Sequence, residues 1–283
     1  MLGAGTLGSR IALMFAAGGS PVRIHNRSIE RAHDAKRFVE EQIEDVRYTL
    51  DLEVAPPGTV EVVPSLEKAV PGAWLIIESL AEDLELKRRI LAEVDGLADD
   101  DAILATNSSS YPSSEVIDEV ERPERVLNLH FLMPPQVNPV ELMSCGRTDQ
   151  AIVDALMERL PRYGLTPYEV RCESIGFIFN RIWAAIKREC VMVLEEGVAT
   201  PEDVDELWRI FTAPGVPPFR LMDRVGLDVV LAIEEHYAEV RDGLPEAPRR
   251  LLREYVDQGR LGVKSGRGFY DPAEGDAGTG SRR

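Results

Sequence analysis

Over the first 170 residues the apolar positions fall into short runs separated by stretches of helical spacing. The glycine-rich opening Gly3-x-Gly5-x-x-Gly8 leads into a helical apolar pattern through Phe15, which Gly18, Gly19 and Pro21 stop. Residues 22–24 read as a short strand, and Ser28 caps a long charged helix to about Leu50. After the turn Pro56-Pro57-Gly58 come a strand at 60–63 and a buried apolar strand at 74–77. A helix at 84–97 and a strand at 102–106 follow. Pro123 precedes a strand at 126–130, and 139–143 is one more extended segment. Strands alternating with helices predict a parallel sheet covered by helices on both faces.

Past residue 170 the strand patterns stop. Ile182, Ile186, Cys190, Val193 and Leu194 recur at helical spacing until Gly197 closes the helix. Thr200-Pro201-Glu202-Asp203 starts another, with a capping threonine, proline at the first helical position and acids against the positive end of the helix dipole. The expected organisation is an α/β domain over 1–172, an all-α domain over 173–270 and a disordered tail over 271–283, rich in Gly, Ser and Ala. No internal repeat stands out.

Composition narrows the function. With 44% apolar and 29% charged residues the chain can build an ordinary packed core. Its net charge of −17 repels phosphate backbones and anionic lipid heads, so nucleic acid and membrane surfaces are poor partners. An anionic cofactor then has to be held locally, by backbone amides or a few arginines. The cysteines Cys145, Cys172 and Cys190 form no CxxC pair, which suits a reduced, cytoplasmic protein. There is no apolar run of membrane-spanning length and no signal-peptide pattern at the start. The histidines and cysteines lack metal-ligand spacing, so no metal is expected.

The glycine motif is a dinucleotide fingerprint. Gly3 serves a tight turn, Gly5 close approach of the backbone to a pyrophosphate, and Gly8 close helix–strand packing. Thr6 and Leu7 bring amides at the helix N-terminus to the phosphates. The expected fold is therefore an α/β Rossmann-type doubly wound sheet followed by an all-α C-terminal domain. Only Met1 and Leu2 precede the motif, so the first strand is nearly absent, and the natural protein is expected to start a few residues upstream. The next strand ends in Asn26-Arg27-Ser28 with no acid at Asn26. Arg27 and Ser28 suit the 2′-phosphate of NADP, and the lean is to that cofactor; Asn26 bonding the ribose of NAD is the alternative.

Oxidising a secondary alcohol needs a base with a pKa near neutrality, which favours histidine. His25 and His33 lie near the adenosine end and His236 in the helical domain. His130 ends a sheet strand, where open α/β sheets carry their sites. Glu141, flanked by Val140 and Leu142, is a carboxylate in need of a partner and a natural orienter of that histidine. Asn107-Ser108-Ser109-Ser110 follows another strand end and offers hydroxyl donors. Asn180 sits off the apolar stripe of its helix, beside the domain junction.

These residues carry a resemblance over nearly the full length. The chain resembles the 3-hydroxyacyl-CoA dehydrogenase family at Gly3–Gly8, at 78–84 with Lys87, at 107–109, at 129–131, at Val140-Glu141, at 176–181, at 221–223 with 226–228, and from 259 to 270. The resemblance implies His130 as general base, Glu141 as its orienter, and Ser109 and Asn180 as holders of the reacting oxygen. It implies Glu82, Lys87 and Asn107 near the cofactor, NAD or NADP as cofactor, a role in fatty-acid metabolism, and a homodimer through the helical domain. Two departures bear on the substrate. Met133-Pro134-Pro135 replaces the usual segment after the histidine, and the histidine-to-glutamate spacing is one residue shorter. A 3-hydroxyacyl-CoA is the first reading, a free 3-hydroxy acid such as a sugar acid or carnitine the second. A dinucleotide-binding structural protein without chemistry is the third, which the joint presence of Ser109, His130, Glu141 and Asn180 opposes.

Overall fold

The computed structural model describes residues 1–52, 56–212 and 217–270, and the tail at 271–283 lies outside them. The chain divides into two compact units, Met1–Ile178 and Phe179–Arg283.

In the first unit α1 (Thr6–Ala17) leads to β1 (Val22–Ile24), α2 (Ile29–Thr49), β2 (Val60–Val62), the one-turn α3 (Leu66–Ala69) and β3 (Leu75–Glu78). Then follow α4 (Leu84–Leu97), β4 (Ile103–Thr106), β5 (Val126–Met133), β6 (Val137–Ser144), α5 (Gln150–Arg159) and β7 (Thr166–Val170). β1 pairs with β2 in parallel. The other five strands form a sheet in the order β3-β4-β5-β6-β7, parallel except for the β5–β6 hairpin. Leu2 stands between the two sheets and bridges both His25 and Glu78 in parallel. Its amide donates to the Ile77 carbonyl and its carbonyl accepts from Ser79. The strand expected to be nearly absent is thus a single bridging residue.

Alternation along the strands sends successive side chains to opposite faces. Ile77, Ala105, Leu127 and Leu129 join the core under α1 and α2. Ile76, Leu104 and Val126 join a second core with Leu91 and Val94 of α4. Two cores on one sheet make it doubly wound, and the strand carboxyl ends are left free to carry chemistry.

The elements that the hydrophobic pattern did not announce are α3, α5 and β7. β7 is an edge strand, largely exposed, with Pro167 inside it. An edge position tolerates proline and has no apolar run to signal it. The segment expected at 139–143 is longer, and its pairing with β5 is antiparallel.

The second unit is helical: α6 (Phe179–Glu195), α7 (Pro201–Thr212), α8 (Pro218–Val225), α9 (Leu227–Val240) and α10 (Ala247–Asp257). Cys190, Val191, Phe219, Met222, Leu227, Val230, Leu252 and Phe269 form its core. Ile182, taken as part of the apolar stripe of α6, is instead 57% exposed, and the buried face runs through Ala184, Lys187, Cys190 and Val191. Buried Asp205 accepts from the Phe219 and Arg220 amides at the start of α8 and from the Tyr270 hydroxyl. Arg188 pairs with buried Glu234 at 2.8 Å.

Candidate active site

The fingerprint glycines divide the labour expected of them. Gly3 has φ +103°, and a Cβ there would lie 2.2 Å from the Ser79 carbonyl oxygen. A Cβ on Gly8 would lie 2.4 Å from the Gly3 carbonyl oxygen. These two let α1 pack onto the strand ends. Gly5 has no such neighbour within 4 Å, so its backbone is open to a ligand. α1 has no acid in its first turn, and its first amides, including those of Thr6 and Leu7, are the donors a helix leaves unpaired along its own axis. An open glycine, a helix N-terminus and no local carboxylate fit a diphosphate.

At the end of β1 the polar residues are already engaged. The Asn26 side chain accepts from the Ala4 amide at 3.3 Å and donates to the Ser28 carbonyl at 3.0 Å, tying the strand end to the fingerprint turn. Ser28 caps α2 through the Arg31 amide and donates its hydroxyl to Glu30 at 2.9 Å. Arg27 is exposed.

The hairpin places the proposed base and its partner. His130 on β5 and Glu141 on β6 are directly opposed in the antiparallel ladder, where cross-strand side chains stand close enough to touch. Nδ1 of His130 lies 2.7 Å from Oε2 of Glu141, and both side chains are buried. A carboxylate oxygen accepts, so Nδ1 carries the hydrogen, and in the neutral imidazole Nε2 presents its lone pair. The Ile178 amide donates to the other oxygen of Glu141 at 2.8 Å. The Phe177 ring stacks on the imidazole, with centroids 4.6 Å apart and planes 16° from parallel. A cleft of about 300 Å³ brings His130 together with Gly5, Leu7, Glu82, Lys87, Asn107 and Ser109.

An ionic chain, buried at Glu78 and Lys87 and exposed at Glu82, supports the wall of that cleft. Lys87 is 1% exposed and donates to both oxygens of fully buried Glu78, at 2.9 and 3.1 Å. It also pairs with Glu82 at 2.9 Å. Glu78 accepts in addition from the Thr106 hydroxyl and the Leu80 amide. The second oxygen of Glu82 takes the Ser108 hydroxyl at 2.7 Å and the amides of Ser109 and Ser110 at 3.0 and 3.1 Å. Burial pushes the Glu82 carboxyl up, but Lys87 and these donors outweigh it and hold the group below its ordinary value. Asn107 accepts from the Phe131 amide and donates to Ser79, so it joins the ends of β3, β4 and β5. The loop carrying Ser109 is therefore set by Glu82, with Ser109 itself exposed.

Comparison with known proteins decides the family. The NAD-binding domain of 3-hydroxyacyl-CoA dehydrogenase matches residues 1–173, and its C-terminal domain matches residues 176–272. The chain belongs to the 3-hydroxyacyl-CoA dehydrogenase family. A probable 3-hydroxybutyryl-CoA dehydrogenase of Bacillus subtilis (strain 168) is 33% identical over 280 residues, covering 96% of each chain. The 5-formyl-3-hydroxy-2-methylpyridine 4-carboxylate 5-dehydrogenase of Mesorhizobium japonicum is 30% identical over 278 residues, 95% of this chain and 89% of that one. The crystal structure of (S)-3-hydroxybutyryl-CoA dehydrogenase from Ralstonia eutropha superposes with a TM-score of 0.83 at 29% identity, covering 95% of this chain and 96% of that one. This member of the 3-hydroxyacyl-CoA dehydrogenase family is an oxidoreductase acting on a CH–OH group with a nicotinamide dinucleotide.

Within this family member, the residues anticipated from sequence around the cleft are gathered in the first unit, and Asn180 stands half-buried in the first turn of α6 in the second. Three contributors went unread. Glu78 is an acid closing the buried run Leu75-Ile76-Ile77, and an acid at the end of a buried strand is itself a signal that a partner exists. Phe177 and Ile178 lie in the 176–181 stretch of the resemblance, but their roles left no signal, because a stack and a backbone donor depend on where a distant turn lands. Among the described residues no cluster of histidine, cysteine or acid side chains could hold a metal ion, and no helix is long and apolar enough to cross a membrane.

Proposed function

We propose that the protein interconverts a 3-hydroxyacyl-CoA and its 3-keto form, with His130 as general base. The observation that carries this reading is the buried 2.7 Å His130–Glu141 pair opening on the cleft that also holds Gly5 and Ser109. Nε2 of His130 takes the 3-hydroxyl proton, and Glu141 holds the imidazole in the right tautomer and stabilises its protonated form. Ser109, on the loop anchored by Glu82, and Asn180 hold the reacting oxygen. The dinucleotide, when bound, supplies the hydride acceptor or donor. Its diphosphate is assigned to the Gly5–Leu7 backbone, and Lys87, Glu82 and Asn107 are assigned to the nicotinamide end. His130→Gln is expected to lower turnover roughly 10²- to 10⁴-fold while dinucleotide binding, read by fluorescence titration, is kept. Near-normal turnover would remove His130 as the base.

A free 3-hydroxy acid is the second reading. What favours it is the altered hairpin tip after His130, where Arg10 of α1 donates to the Pro134 carbonyl and the Gln136 side chain. The Mesorhizobium japonicum relative, named for a pyridine carboxylate, supports it too. A panel of acyl-CoA thioesters against the matching free acids separates the two.

For the cofactor, the engaged Ser28 hydroxyl and the Glu30 carboxylate beside it support NAD, the alternative to NADP. A 2′-phosphate dianion near Ser28 would meet like charge, so NAD is proposed over NADP. Equal-concentration rates with the two cofactors test this, and a preference for NADP would restore Arg27 as a phosphate ligand. A homodimer through the helical unit is supported by the exposed apolar side chains Phe179, Ile182, Leu207, Ile210 and Phe211. Three free cysteines suit a cytoplasmic setting.

A further inference from the structure

The turn formed by residues 174–178 touches both members of the acid–base pair. Gly176 and Phe177 hold consecutive left-handed conformations, with φ of 78° and 54°. Glycine adopts such a backbone freely, whereas for a bulky aromatic residue it is an outlier that surrounding structure must enforce. The Phe177 amide donates to the Ser174 carbonyl, and the Ser174 hydroxyl donates back to the Phe177 carbonyl, both at 2.9 Å. The Ser174 amide meets the sulfur of Met143. The phenyl ring packs with Met143 of β6 and Val170 of β7, and it lies flat on the imidazole. The next amide, that of Ile178, holds Glu141.

We propose that Phe177 is a positioning residue of the catalytic pair. Its ring fixes the plane of the His130 imidazole, and its left-handed backbone delivers that ring and the Ile178 amide together. The Nε2 lone pair lies in the imidazole plane, so a tilt of that plane moves the direction along which the proton is accepted. The Glu141 contact at Nδ1 anchors one edge of the imidazole and leaves the tilt to be set by the stack. The ring also covers one face of the imidazole. This inference rests on His130 being the base.

The test uses three substitutions in the full-length protein. Phe177→Tyr keeps a stacked ring and is expected to keep kcat within about twofold. Phe177→Leu keeps apolar bulk without a planar ring and is expected to lose kcat about tenfold to a hundredfold with substrate KM little changed. Phe177→Gly removes the ring and its apolar bulk, and its kcat should fall at least as far as that of Phe177→Leu. The stack has its own signature. With only four histidines in the chain, the His130 ring resonance can be assigned in histidine-labelled protein. It should sit upfield in the wild type and in Phe177→Tyr, and move downfield in the other two. Wild-type kcat in Phe177→Leu would overturn the proposal. An unmoved His130 resonance would do the same. Full turnover by His130→Gln would instead overturn the reading beneath it, since the resonance reports the stack whatever His130 does.

Discussion

The two ends of the cleft in the first unit are made of different material. Around Gly3, Gly5 and Gly8 the site is backbone: a tight turn, an open glycine and the N-terminus of α1. Around Glu78 and Lys87, with exposed Glu82 beside them, and around His130 and Glu141 it is side chains, in two groups whose buried members are paired. A backbone site depends on which residues lack a Cβ, and a mistake there is steric. A side-chain site depends on charges kept out of water, and a mistake there leaves a partner unpaired at low dielectric. The difference teaches where each end is fragile.

The largest effect is expected in the ionic chain. Glu78→Ala leaves the Lys87 ammonium buried with only Glu82, and Thr106 and the Leu80 amide without their acceptor. A loss of about 3–5 kcal/mol in unfolding free energy should follow, measured by denaturant titration. A loss below about 1 kcal/mol would show that this end relaxes as easily as a surface and would break the contrast.

The glycine end should split by position. Gly8→Ala pushes a methyl to 2.4 Å from a carbonyl oxygen, so roughly 1–3 kcal/mol of stability should be lost. Gly5→Ala has room for the methyl and should leave stability unchanged while raising the dinucleotide Kd, because the added group occupies the open approach. Thermal melts with and without cofactor check both. Equal stability losses for the two would mean that their spacing does not divide packing from binding.

The smallest effect is a pH dependence. The native Glu82 carboxyl titrates below its ordinary value of 4.5, its burial outweighed by Lys87 and the Ser108–Ser110 donors. Its contribution to stability is therefore fully present above about pH 4.5 and is lost as pH falls through the lower native value. Glu82→Gln should flatten the drop in thermal midpoint below about pH 4.5. Asp205 in the second unit has the opposite sign, because burial raises its carboxyl more than its three donors lower it. It favours the folded state most at low pH, and that advantage fades as pH rises through its native value.

Much of this was legible before any coordinates. The alternation of short apolar runs with helical stretches announced the wound sheet, since a strand buried on both faces must be apolar along its length. The glycine spacing announced the turn, because only a residue without a Cβ tolerates a carbonyl oxygen 2.2 Å from where that atom would stand. His130 was marked by its place toward the end of a sheet strand, and Glu141 as an acid among apolar neighbours. β7 was not legible, because an exposed edge strand needs no apolar pattern. Ile182 misled for the complementary reason: helical spacing says which residues share a face, and not whether that face is covered.

The local grammar of the chain determined the elements, the helix caps and the identity of the groups able to do chemistry, because those follow from period, from the missing Cβ of glycine and from side-chain type. Tertiary structure alone decided which of those groups meet. The hairpin register set His130 opposite Glu141. The turn at 174–178 brought Phe177 and the Ile178 amide onto them, and Glu78 and Lys87 were made one unit across nine positions of sequence. Contacts of that kind arise from long-range packing, which no single stretch of residues encodes.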